Sequence, residues 1–241
     1  MSKPLFHVKI CGITAAADAR CAAAAGADAV GLNFVAGSTR RLEIAAAREV
    51  AAAVPPGVLK VGVFAGASAA EVRRTVEAVG IDAVQLHGHL EADGESALVD
   101  PPELCAALAG IPVIRAVRVD AAGADAFATA RRWLAVAAAN GPPPAMALVD
   151  AAVPRGAAAG QLGGTGAVAD WDRIRVAAAL PVPLALAGGL TPGNVAAAIA
   201  ASGCPAVDVA GGVESMPGVK DPALVRAFVA AARAALGLPA R

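Results

Sequence analysis

Short apolar runs rich in Val, Ile and Leu recur along the chain, separated by longer Ala-, Arg- and Glu-containing stretches of helical character, with a spacing of about thirty residues. A buried strand followed by a helix, repeated in this way, is the signature of βα units feeding a parallel sheet covered on both faces. Eight strands are predicted: His7 to Cys11, Ala29 to Phe34, Leu59 to Phe64, Ala83 to His87, Val113 to Val117, Ala145 to Val149, Leu184 to Ala187 and Ala206 to Val209. Helix-forming sequence follows each of them.

Eight such units close into an α/β (βα)8 TIM barrel, whose active-site groups lie at the C-terminal ends of the strands. The competing architecture, an open doubly wound sheet, would carry a Gly-rich dinucleotide turn after its first strand. Here that turn reads Cys11-Gly12-Ile13-Thr14. No linker divides the chain, so one domain is expected over residues 1–241. Two segments read as looser: Gly88 to Pro102, with its acids and Pro pair, and the stiff connector Asn140 to Pro144.

Composition narrows the function. Lys+Arg and Asp+Glu are 20 each, so no broad positive field is available for nucleic acid or an acidic membrane surface. An anionic ligand has to be met locally. The uncharged stretch over residues 176–207 is broken by Pro181, Pro183, Pro192, Pro205 and the Gly188-Gly189 pair, and it reads as strand, loop and helix rather than a membrane span. Cys11, Cys21, Cys105 and Cys204 are irregularly spaced with no CxxC, which argues against a metal framework and for a reduced, cytoplasmic protein. The first residues lack the apolar core of an export signal.

Candidate chemistry sits at strand ends. Period-two alternation puts Lys9 and Cys11 on one face, so a barrel-facing Cys11 would lie at the rim with an ammonium behind it. A thiol ionises near ~8.5, and an adjacent cation can favour the thiolate as base or nucleophile; a small buried hydrophobe is the alternative. Asp150 ends the apolar run of strand six, as an acid delivered into the cavity or as a cap on the next loop. Arg40, beside Arg41 on the loop after strand two, can pair a carboxylate through two parallel hydrogen bonds, or be solvated surface. His87 ends strand four, where it could line the cavity. Asp208 lies inside an apolar strand and needs a partner, either protein or a sugar hydroxyl.

Glycine clusters follow the last three strands: Gly163-Gly164-Thr165-Gly166, Gly188-Gly189 and Gly211-Gly212. Each can be a tight turn. On consecutive late loops of a barrel they also bare amides for a phosphate, and Gly164, Gly188, Gly189, Gly211 and Gly212 are the candidate phosphate-binding positions.

Taken in order, Val8-Lys9-Ile10-Cys11-Gly12-Ile13-Thr14, Val84-Gln85-Leu86-His87-Gly88, Gly163-Gly164-Thr165-Gly166 with Asp170-Trp171, Leu186-Ala187-Gly188-Gly189-Leu190, Val207-Asp208-Val209 and Gly212-Val213-Glu214 ahead of Pro217-Gly218-Val219-Lys220-Asp221 resemble the phosphoribosylanthranilate isomerase family. The resemblance implies an Amadori rearrangement in tryptophan biosynthesis, with a small phosphorylated substrate, no cofactor and no metal. It implies that Asp150 is the general acid that opens the ribose ring and Cys11 the general base at C2. It further implies that Arg40 meets the anthranilate carboxylate, that His87 and Asp208 line the substrate, and that the late-loop glycines hold the phosphate. A monomer or a homodimer is expected. The sequence departs from the family at Ala210, where serines are usual, and at Ala167, where a Lys is common; the segment after Gly88 is also longer.

Rival readings within the same barrel are an indole-glycerol-phosphate synthase, which needs a catalytic Lys at strand ends, and a pentulose-phosphate epimerase, which needs metal-binding His and Asp. A third is a phosphate-ligand binder without catalysis.

Overall fold

The computed structural model describes residues 3–90, 98–119, 126–151, 171 and 180–239. Eight strands form a closed, all-parallel barrel in sequential order: β1 (Val8–Ile10), β2 (Ala29–Asn33), β3 (Leu59–Phe64), β4 (Ala83–Leu86), β5 (Val113–Val119), β6 (Met146–Ala151), β7 (Leu184–Ala187) and β8 (Ala206–Val209). The seam closes where Val8, Lys9 and Ile10 pair with Val207, Asp208 and Val209. Seven α-helices are described: α1 (Ala16–Ala24), α2 (Ile44–Ala52), α3 (Ala69–Val79), α4 (Glu103–Ala107), α5 (Ala126–Asn140), α6 (Val195–Ser202) and α7 (Pro222–Ala235). The connection from β6 to β7 lies largely outside the described residues.

The eight predicted strands are all present; β3, β7 and β8 keep the predicted bounds and the other five have shifted ends. Cys11 and His87 fall just past β1 and β4, on the loops that leave the strands, whereas β5 runs on to Val119 and β6 includes Asp150. The Cys11 amide still donates to Val209 at 2.7 Å, so the thiol's backbone stays tied to the barrel wall.

Strand alternation divides the core in two. Inside the barrel pack Phe6, Ala29, Val61, Ala83, Ile114, Met146, Leu148, Ala185 and Ala206, while Val8, Ile10, Val30, Leu32, Val84, Leu86, Leu184, Leu186 and Val207 face the helices. β7 shows the division of sizes: its Leu residues point outward and Ala185 and Ala187 inward. Small inward residues leave room for the long polar side chains of the next layer. Helix ends use local chemistry. Ser68 and Glu71 form a capping box at α3 and Gly80 closes it in the left-handed conformation, while Asp221 caps α7 just before Pro222. No described helix is long and apolar enough to cross a membrane, and the uncharged late stretch contains β7 and α6.

Candidate active site

Above the apolar inner layer, three buried polar side chains fill the barrel. Lys9 donates to Asp208 Oδ1 at 2.8 Å and to Gln85 Oε1 at 3.0 Å. This supplies the partner that a carboxylate inside β8 requires. Burial pulls the Lys9 ammonium down, but Asp208 and Cys11 more than offset it, so its pKa lies above the ordinary lysine value. Gln85 in turn reaches His87 Nδ1 at 2.9 Å, and His87 Nε2 lies 3.5 Å from Asp150 Oδ2. Asp150 sits at the end of β6, in register with Arg118 on one side and Ala187 on the other.

Cys11 occupies the rim above Lys9. A Cβ on Gly31 of β2 would stand 2.6 Å from its sulfur, so a glycine there makes space for the thiol. The adjacent ammonium is present as the alternation implied, yet it does not prevail. Burial pushes the thiol above its ordinary value, Asp208 adds to the rise, and Lys9 and Lys220 only oppose it.

Arg40 lies close by, its side chain filling the space where Gly12, at φ +72°, has no Cβ. It is engaged by protein: its Nε and Nη2 donate to the two carboxylate oxygens of Glu214 at 2.7 and 2.6 Å. Lys220 donates to the same carboxylate at 2.7 Å and to the Ala210 carbonyl at 3.1 Å. Burial pushes the Glu214 carboxyl up, but hydrogen bonds from the two cations overcome it and hold the group below its ordinary value. Glu214 and Lys220 belong to a small antiparallel ribbon, β9 (Glu214–Met216) and β10 (Val219–Lys220), which folds over the β1 rim through the Thr14 hydroxyl and the Gly218 carbonyl.

Of the glycine candidates, Gly188 and Gly189 adopt φ of +88° and +62°, and Gly211 and Gly212 begin a single 3-10 turn. Gly212 has a structural requirement of its own, because a Cβ there would run into the Leu190 carbonyl oxygen. The loops after β7 and β8 are therefore pressed together. Asn194 stiffens the first, accepting from the Thr191 amide at 2.7 Å and donating to the Gly189 carbonyl at 2.9 Å. Gly164 and Ala167 lie outside the described residues.

A second buried charge pair was not anticipated from sequence. Arg115, on the outer face of β5, donates to Asp100 Oδ2 at 3.2 Å, to the Leu86 and Gly88 carbonyls at 2.7 Å each, and stacks over Trp133. Burial brings its pKa down to about 10, with Asp100 opposing, so the guanidinium stays charged near neutrality. Asp100 also accepts from the Gly66 and Gly88 amides, and the Trp133 indole donates to its carbonyl. The loops after β3 and β4, and hence the backbone carrying His87, are anchored by this group. Sequence reasoning also passed over Gln85, Glu214 and Lys220 as separate participants, although all three stand within the quoted motifs. Among the described residues no cluster of His, Cys, Asp and Glu has the makings of a metal site.

The arrangement sets a thiol and a carboxyl group around one polar barrel mouth, with cations on the β1 side. Known proteins share the sequence pattern and the fold that carry it. The family model for N-(5'-phosphoribosyl)anthranilate (PRA) isomerase matches residues 8–231. An N-(5'-phosphoribosyl)anthranilate isomerase of Myxococcus xanthus is 42% identical over 227 residues, covering 94% of this chain and 96% of its own. A solved phosphoribosyl anthranilate isomerase in complex with reduced 1-(o-carboxyphenylamino)-1-deoxyribulose 5-phosphate superimposes with a TM-score of 0.74 at 32% identity, covering 95% of this chain and 99% of that one. Monomers generated from the dimeric isomerase of Thermotoga maritima give 0.75 at 32% identity with the same coverage.

Proposed function

The chain belongs to the N-(5'-phosphoribosyl)anthranilate isomerase family, and from that premise we propose how its own residues convert N-(5-phosphoribosyl)anthranilate into 1-(2-carboxyphenylamino)-1-deoxyribulose 5-phosphate. Asp150 is the acid. It gives its proton to the ribose ring oxygen, the C1–O bond breaks, and the anthranilate nitrogen lone pair forms an iminium at C1. Cys11, as thiolate, then removes the proton from C2. The C2–H electrons form a C1–C2 double bond and neutralise the iminium, leaving an enolamine. Tautomerisation moves one proton from the C2 hydroxyl to C1 overall, so Asp150 regains its proton and Cys11 its negative charge.

The observation that carries this reading is the convergence of Cys11 and Asp150, from strands at β1 and β6, on the same mouth of one barrel. The raised thiol pKa fits a base of this kind: fewer thiolates form, but each is a stronger base, and the adjacent iminium acidifies C2. The Arg40 guanidinium meets the anthranilate carboxylate through Nη1, which neither bond to Glu214 uses. The amides of Gly188, Gly189, Gly211 and Gly212, with Gly164, hold the phosphate, and His87 and Asp208 support the sugar. No cofactor takes part. Every side chain named comes from one chain, so a monomer or a homodimer can carry the site, and sedimentation velocity separates the two. Four free thiols suit a cytoplasmic setting.

Fluorescence-monitored turnover of freshly prepared N-(5-phosphoribosyl)anthranilate tests the assignment. Cys11→Ala and Asp150→Asn should each lose at least about a hundredfold in kcat, the scale of one acid or base group. Substrate binding without conversion by the unaltered protein would overturn it in favour of a binder without catalysis.

A further inference from the structure

The hydrogen bonds that run from the barrel centre to His87 leave no freedom in which atom donates. Lys9 is an ammonium with three N–H donors and no acceptor. The Gln85 atom that faces it at 3.0 Å must therefore be the amide oxygen, which turns the –NH2 toward His87. An amide nitrogen only donates, so His87 Nδ1 at 2.9 Å must be the lone-pair nitrogen. In a neutral ring the proton then resides on Nε2, the atom 3.5 Å from Asp150 Oδ2.

We propose that Gln85, oriented by Lys9, is a positioning residue that fixes His87 as the Nε2–H tautomer and aims that N–H at the Asp150 carboxyl. The proposal rests on the reading of Asp150 as the acid. Two consequences follow for the reaction. With Oδ2 facing a donor, the transferable proton of Asp150 is confined to Oδ1, on the side away from His87. Once that proton has gone to the ring oxygen, the N–H already stands where negative charge develops, which is the arrangement that lowers a barrier most. The Asp208 carboxylate acts at the far end of the chain, since its bond at 2.8 Å keeps Lys9 charged and hence unable to accept.

The test is a two-bond 1H–15N correlation spectrum of the 15N-labelled protein without substrate. The chain has only three histidines, and His87→Gln identifies the ring in question by the signals that disappear. The expected spectrum shows His87 with a protonated Nε2 and a bare Nδ1. In Gln85→Glu the side chain facing Nδ1 can only accept, so a proton should move onto Nδ1, and kcat should fall by at least about tenfold with little change in KM. A protonated Nδ1 in the unaltered protein overturns the proposal, and does so even if Gln85→Glu does not fold. An unmoved tautomer in that variant, or a moved tautomer with unchanged kcat, overturns it as well. Because the spectrum needs no substrate, a correct tautomer together with an active Asp150→Asn variant would instead sink only the acid assignment.

Discussion

At the residue scale the chemistry depends on charges held inside a barrel. Cys11 is buried at the barrel rim, and burial raises the thiol although two ammonium groups stand nearby. Its alkylation by iodoacetamide, followed by mass spectrometry of the Cys11 peptide, should therefore keep accelerating above pH 9; a plateau reached by pH 8 would contradict the upward shift. Alternation along β1 was enough to place Lys9 and Cys11 on one face. It could not disclose that Lys9 is wholly buried, because a lysine in a sequence is ordinarily a surface residue and its partners lie 76 and 199 positions away. The capacity of Arg40 for two parallel hydrogen bonds was legible and was expected to meet a substrate carboxylate; that a protein carboxylate takes them was not, because Glu214 is 174 residues distant and reads as an ordinary surface acid.

At the element scale the strands were readable because each is a compact apolar run, whereas the loops that carry the site are held by contacts with no sequence period. The Asp100–Arg115 pair is the clearest case. Both side chains are fully buried, and Asp100 joins the loops after β3 and β4. Asp100→Ala leaves a guanidinium without its counter-charge and two amides without an acceptor, and should cost about 3–5 kcal/mol in urea unfolding. A loss within about 0.5 kcal/mol, the range of an ordinary surface change, would mean that water replaces the carboxylate at no expense. The β9–β10 ribbon was missed for a related reason, since five residues beside a Pro-Gly turn carry too little alternation to register as strands.

At the scale of the whole molecule, stability and site share the Glu214 ion cluster. Its carboxyl is held below the ordinary 4.5, so the unfolded chain takes up the proton first as the solution is acidified. The stabilisation is thus complete above about pH 4.5 and is lost as the pH falls through the lower, folded value. Glu214→Gln should be less heat-stable than the parent at pH 7, with the two Tm values converging below pH 4.5. A gap that stays constant from pH 7 to pH 3 would show that the carboxyl is not held down. The closed eight-stranded order was legible from the recurrence of βα units, but the cluster tying the β8 loop to the β2 loop was not.

The closing seam also orders events in time. Lys9 stands on the first strand and its counter-ion on the last, and they meet only when β8 docks against β1. While the polypeptide emerges from a ribosome, its first strand exists without Asp208, and an unpaired ammonium resists entering an apolar interior. Newly made chains should therefore keep the barrel mouth open and hydrated until synthesis has passed the eighth strand, so that the candidate active site is among the last parts of the molecule to be born.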